Sequence, residues 1–196
     1  MLLFDLGGVI IDLDFERVFQ RWADLSDQTA EALQARFRFD DAYEQHERGE
    51  IDSPTYFAAL ASTLELDLTL DELIDGWNAV FLGPFPGATD LLARLATRFP
   101  LHALTNSNPT HQACWSQLYG QDLSVFQTVF VSSTIGRRKP EPDTYLFVAD
   151  SLGVAPERFL FFDDSDDNVT GARQAGLSAT HVTSFEDLVA KTAALV

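Results

Sequence analysis

The sequence predicts an α/β protein: a Rossmann-like parallel sheet core with helices on both faces, plus an inserted α-helical cap. Three observations predict it. Short apolar runs that stop at polar or acidic residues recur along the chain, segments of helical periodicity lie between them, and one long stretch after the first run is helical in spacing throughout.

The first run, "LLFDLGGVI" (residues 2 to 10), reads as a buried strand that reaches an acid and then two glycines. Residues 14 to about 85 follow with no strand-like segment. "FERVFQRWADL", "TAEALQARFRF", "SPTYFAALASTL" and "TLDELIDGWNAVF" all carry helical spacing, and two starts are marked, by Ser53-Pro54 and by Thr69 ahead of Asp71 and Glu72. The expected organisation is a cap over 14–85 and a discontinuous core over 1–13 and 86–196. "LGPFPGA" returns the chain to that core. The remaining runs, "LHALTN", "TVFVSS", "RFLFFDD" and a weaker "SATHVT", alternate with helices such as "GATDLLARLATRF" and "DTYLFVADSLG". In such sheets ligands bind beyond the carboxyl ends of the strands. Asp5, Thr105, Ser133 and Asp163 with Asp164 are therefore expected to converge on one site.

Composition narrows the function. With 196 residues and 46% hydrophobic content the chain can bury a full core, and no apolar run is long enough to cross a bilayer. The first strand begins at the N-terminus, so a soluble cytoplasmic protein is expected. The 30 acidic and 13 basic residues give a net charge of -17, which would repel nucleic acid and anionic membranes. An anionic small molecule needs local positive charge, and the only lysines are Lys139 and Lys191. The single cysteine, Cys114, excludes an internal disulfide and reads as a buried small apolar residue. The three tryptophans and most of the 16 phenylalanines read as core.

Four motifs occur in order at the predicted strand ends: "FDLGGVI" at Asp5, "LTNSN" at Thr105, "RRKPEPDTY" at Lys139 and "FFDDSDDNVTGARQAG" at Asp163. With "HERGEI" (residues 46 to 51), they make the whole chain resemble a haloacid dehalogenase-like hydrolase with a helical cap, and within that superfamily the bacterial phosphatases of glucose 1-phosphate. The resemblance implies a magnesium-dependent phosphomonoesterase acting on a small phosphorylated metabolite. Asp5 would attack phosphorus and form an aspartyl phosphate, splitting one hard displacement into two easier ones. Magnesium suits the hard oxygen donors of Asp5, the Gly7 carbonyl, Asp164 and Asp163, the last directly or through water. Thr105 and Asn106 would hold phosphate oxygens, and Lys139 would supply charge to phosphate or nucleophile. Lys191, Asp166 and Asp167 read as surface groups, while Arg137 and Arg138 are open between adding to the site's field and pairing with surface acids.

One position departs from the family pattern D-x-D: the second acid is Gly7. Residues two apart on an extended chain point to one side, so both carboxylates would reach the substrate. Glycine keeps the metal-binding carbonyl and loses the proton shuttle, a loss of about 10²- to 10⁴-fold in rate. Esters with an acidic leaving oxygen, such as the anomeric oxygen of glucose 1-phosphate, would suffer least. His46, Glu47 and Arg48 in the cap are candidates for a replacement donor or for substrate contact, and His111 is a further residue near the pocket. His102 and His181 read as structural. A haloacid dehalogenase would leave Asp163 and Asp164 unexplained, a Schiff-base phosphonatase needs a cap lysine that is missing, and a mutase needs the lost acid-base group. The alternative from another class is a catalytically silent binding domain, which Gly7 alone favours.

Overall fold

The computed structural model describes all 196 residues. Seven strands run in chain order: β1 (Leu2–Phe4), β2 (Ile11–Leu13), β3 (Phe81–Pro84), β4 (Leu101–Thr105), β5 (Thr128–Val131), β6 (Leu160–Asp163) and β7 (Ser178–His181). Five form a sheet of order β5-β4-β1-β6-β7 whose pairings are all parallel. Such a sheet must be covered on both faces, and the alternation along its strands shows how. Leu2, Phe4, Ala103 and Phe162 pack to one side with Leu91, Leu92, Trp115 and Leu188. Those last residues come from α6 (Ala88–Ala96), α7 (Pro109–Tyr119) and α11 (Phe185–Thr192). Leu3, Leu104 and Phe161 pack to the other side with Tyr145, Val148 and Ala172, from α9 (Pro142–Leu152) and α10 (Asp166–Gln174), and the one-turn α8 (Ser132–Ile135) follows β5.

The register sets the position of the polar residues. Phe4 is level with Ala103 and Phe162, so Asp5 falls beside Asp163 at the carboxyl ends of adjacent strands. The Asp5 amide donates to the Phe162 carbonyl at 2.9 Å.

Five helices lie between β2 and β3: α1 (Phe15–Asp24), α2 (Ala30–Arg36), α3 (Asp41–Glu47), α4 (Ser53–Leu64) and α5 (Leu70–Asn78). Each is started by a side-chain cap, from Asp14, Thr29, Asp40, Asp52 and Thr69 respectively, and Thr69 forms a full capping box with Glu72. They bury a core of their own, with Trp22 stacked on Trp77 at 6.0 Å and Phe57, Leu33 and Val18 fully covered. Gly76 permits the close crossing of α1 and α5, since a Cβ there would lie 2.2 Å from the Trp22 ring. No helix is long and apolar enough to cross a membrane.

Three expectations are corrected. The run "LLFDLGGVI" is not one strand: after Phe4 the Leu6 carbonyl accepts from the amides of Ile10 and Ile11, and the chain turns. Residues 14–85 are not free of strands, because Phe81–Pro84 pairs antiparallel with Ile11–Leu13 where the chain returns. That strand is four residues long and ends in Gly83-Pro84, so it has no alternating pattern to read. Cys114 is half-buried on α7, its thiol pushed up by partial burial.

Gly171 in α10 lies against the segment after Lys139, where a Cβ would stand 2.0 Å from the Pro140 carbonyl oxygen. Helix propensity favours Ala over Gly by about 1 kcal/mol, but this contact is with backbone and reverses the sign. Gly171→Ala is expected to lower stability by about 1–3 kcal/mol, the usual cost of overpacking. Chemical denaturation measures it, and a more stable variant would contradict the packing described.

Candidate active site

Lys139 is the centre of the constellation. Its side chain is 1% exposed, and Nζ donates to Asp163 Oδ2 at 2.6 Å and lies 2.9 Å from Asp5 Oδ1. Both carboxylates hold the ammonium charged in spite of burial, and its pKa stays above the ordinary lysine value. Asn106 fixes the lysine's backbone at both ends. Its Oδ1 accepts from the Lys139 amide and its Nδ2 donates to the Lys139 carbonyl, each at 2.9 Å. The Asn106 side chain is thus engaged in positioning Lys139, which leaves its backbone amide, the group expected on phosphate, outside these bonds.

Asp163 is fully buried and has both oxygens engaged: Oδ2 with Lys139, Oδ1 with the Ser165 amide at 2.8 Å and Asn168 Nδ2 at 2.9 Å. Asp164 is solvent-facing, and its carboxylate lies so close to Gly8 that a Cβ there would meet Oδ2 at 2.4 Å. Gly8 also has a φ of 73°, so glycine is needed for both reasons. His181 Nε2 donates a hydrogen bond to the Asp164 carbonyl oxygen at 2.8 Å. His102 is buried on β4, apart from these acids.

Carboxylate oxygens of Asp5, Asp163 and Asp164 all lie within 4.8 Å of one another. Burial pushes Asp5 up to about 7, the two neighbouring carboxylates push the same way, and Lys139 pulls it back. Three carboxylates against one ammonium leave negative charge uncompensated. The Gly7 carbonyl accepts no hydrogen bond within the chain. Hard oxygen donors with excess negative charge fit a small divalent cation.

A cavity of about 110 Å³ lies between the end of β1 and the helical layer, walled by Leu6, Gly7, Leu13, Tyr43, Glu47, Thr105 and Trp115 among others; Asp5, two residues before Gly7, is not itself on its wall. Thr105, 5% exposed at the end of β4, is on this wall with Asn106 and Ser107. Leu13 fills the space in front of Gly7, where a Cβ would come 2.7 Å from its Cδ1. The position of the missing second acid is therefore an apolar wall. Ser133 lies away from the cavity, its carbonyl covered by Gly49.

The polar residues of "HERGEI" separate. The His46 ring packs on Tyr56 at 4.4 Å, with Nε2 3.0 Å from Ser53 Oγ, and burial pushes its pKa down to about 4. It faces the helices rather than the cavity. Arg48 is surrounded by Glu50, Glu44 and Glu141 at 2.9, 3.3 and 3.4 Å. Arg138 pairs with Glu44 at 3.1 Å and Glu47 at 2.9 Å, while Arg137 pairs with Asp143 at the surface. Arg48 and Arg138 thus bind the helical layer to the segment around Lys139. His111 is on the cavity wall, stacked on Trp77 at 4.8 Å with Nε2 3.1 Å from the Trp77 carbonyl oxygen, and is pushed down to about 3 by burial. Lys191 pairs with Asp187, and Asp166 and Asp167 are exposed at the start of α10.

Leu13, Tyr43, Ser165 and Asn168 were not legible as site residues. Asn168 could have been found from its place one turn into the helix that follows Asp163. Tyr43 and Leu13 carry no motif and reach the cavity only through tertiary packing.

Comparison with known proteins shows the family of the chain. The chain belongs to the haloacid dehalogenase-like hydrolases, whose family match spans residues 1–176. It is 24% identical over 180 residues to D-ribitol-5-phosphate phosphatase of Bacteroides thetaiotaomicron, covering 89% of this chain and 87% of that protein. It is 32% identical to phosphoglycolate phosphatase of Escherichia coli over 101 residues, half of this chain and 39% of the enzyme. A haloacid dehalogenase family enzyme of B. thetaiotaomicron, solved with magnesium and inorganic phosphate, superposes with a TM-score of 0.81 at 25% identity, covering 93% of each chain. L-2-haloacid dehalogenase of Xanthobacter autotrophicus shares the fold, with a TM-score of 0.69 at 24% identity over 98% of this chain and 82% of that one.

Buried imidazoles such as His46 and His111 should remain neutral where an ordinary histidine is protonated. Proton NMR titration from pH 7.5 to 5 is expected to leave both rings unprotonated; an apparent pKa of 6 or above for His46 would mean that its ring reaches solvent or the cavity.

Proposed function

We propose that the protein is a magnesium-dependent phosphomonoesterase that acts through an aspartyl phosphate at Asp5 on a sugar phosphate, glucose 1-phosphate being the first substrate to test. The observation that carries the reading is the Lys139 ammonium held between Asp5 and Asp163, with Asp164 at the open edge and a cavity alongside. The phosphatase relatives and the neighbour holding magnesium and phosphate support it. The division into a core over 1–13 and 86–196 and a cap over 14–85 belongs to the same proposal, supported by the separate core of the five helices.

Asp5, the Gly7 carbonyl and Asp164 would hold the cation, and Asp163, whose oxygens are committed, would orient Lys139 and the loop behind them. When bound, magnesium offsets the charge of nucleophile and phosphate. Asp5 presents its free carboxylate oxygen, Oδ1 being held by the Leu6 amide at 2.7 Å and by Lys139. An Asp5 oxygen bonds to phosphorus as the bond to the leaving oxygen breaks, and water then attacks phosphorus and releases Asp5 and inorganic phosphate. Lys139 and Thr105 offer donors to phosphate oxygens, and most of the rate comes from this positioning and charge neutralisation. The 110 Å³ cavity is below the roughly 300–1,000 Å³ usual for ligand pockets. A sugar phosphate therefore requires the helical layer to move outward, loosening the partly exposed Arg48 pairs and the Arg138–Glu44 pair. A dehalogenase with this fold would give Asp164 no task, which counts against that alternative.

A panel of phosphorylated sugars, polyols and small acids tests the proposal. Turnover should need magnesium, stop on chelation, and be lost in Asp5→Asn while the far-ultraviolet circular dichroism is unchanged. Full activity in Asp5→Asn would contradict the nucleophile, and binding without any hydrolysis would support a silent binding domain.

A further inference from the structure

The cavity that Gly7 lines has one carboxyl on its wall. Glu47, the last residue of α3, is 4% exposed and lines the same cavity as Gly7, from the helical side. A carboxylate so placed, near Leu13, Phe15 and Phe81, is costly to bury unless paired. Its neighbours are few. Arg138 Nε and Nη2 contact it at 3.0 and 2.9 Å, and both contacts fall on Oε2. Neither falls on Oε1, and the Tyr43 phenol also hydrogen-bonds the carboxylate, both residues lining the cavity. Lys139 and Tyr56 are the other titratable groups that act on it from a distance.

We propose that Glu47 is the general acid and base of the phosphatase reaction, a catalytic carboxyl delivered by the helical layer in place of the one missing at Gly7. This rests on the phosphomonoesterase reading and extends it. In the first step the protonated Glu47 carboxyl gives its proton to the leaving ester oxygen as the phosphorus–oxygen bond breaks and the Asp5 oxygen bonds to phosphorus. In the second, the Glu47 carboxylate takes a proton from water as the water oxygen bonds to phosphorus and the bond to Asp5 breaks. Glu47 ends protonated, Asp5 free and phosphate released, so the cycle closes without another reactant. Arg138 positions the carboxylate by its occupied oxygen. Burial is the largest influence on Glu47 and holds its pKa above the ordinary glutamate range, against the pull of Arg138, which suits proton donation nearer neutrality. With such a donor the preference for acidic leaving groups becomes shallow, and primary esters come within reach.

The test compares monoesters of graded leaving group, from 4-nitrophenyl phosphate to a primary alkyl phosphate, with magnesium present. Glu47→Gln should lose about 10²- to 10⁴-fold in kcat/KM on the alkyl ester and little on the aryl ester, with the alkaline fall of the alkyl pH profile removed. In that background Gly7→Asp with Leu13→Ala, which clears the space in front of Gly7, should restore alkyl turnover. Equal losses on both esters, or none, would overturn the role. The wild type supplies a measurement that needs no variant to fold: the alkaline fall should appear for the alkyl ester and not for the aryl ester, and the same fall for both would also overturn it. No hydrolysis of any ester by the wild type is a different outcome, which removes the phosphatase reading and this role together.

Discussion

The buried ammonium of Lys139 is the interaction on which the rest of the site depends. It lies between two carboxylates at 2.6 and 2.9 Å with almost no access to water. Removing one partner from a buried pair of this kind costs about 3 to 5 kcal/mol, so the three residues specify one another. The fold supplies the geometry: parallel register brings Asp5 beside Asp163, while Asn106 clamps the lysine's backbone from the next strand. Positive charge is scarce in a chain of net charge -17, and one of its two lysines stands among three carboxylates that outnumber it, so an anionic ligand needs a cation here as well.

The helical layer is joined to this centre electrostatically as well as by the β2–β3 pair. Arg138 precedes Lys139 in the chain and reaches Glu44 and Glu47 on α3, and Arg48 reaches back to Glu141. Several of these partners are partly exposed, where ion pairs contribute little individually. They are suited to a contact that opens and closes. The Arg138–Glu47 pair is the exception, since Glu47 is buried and its position is fixed by the residue adjacent to Lys139.

Much of the fold was legible because a parallel sheet covered on both faces writes its strands as short apolar runs with polar ends. Asp5, Thr105, Asp163 and Asp164 could be named for the same reason, since strand ends in such a sheet converge, while Lys139 was named from its motif and from the scarcity of lysine in so acidic a chain. Other features depend on contacts between distant segments. Phe81–Pro84 becomes a strand only because Ile11–Leu13 pairs with it, and its own residues carry no period. His46 and Glu47 are neighbours in one motif, yet a helix turns adjacent side chains about 100° apart, so one enters the helical core and the other the cavity wall. Leu13 in front of Gly7 was equally invisible, because a glycine in a sequence does not reveal what occupies the space it leaves.

The central claim is that Asp5 takes the phosphoryl group. Rapid acid quench of the enzyme during turnover, followed by peptide mapping, tests it most directly. A phosphoryl adduct on the peptide containing Asp5, formed with magnesium and absent without it, is the predicted result. Steady release of phosphate with no protein-bound phosphate at any time, and with inversion at phosphorus, would contradict it.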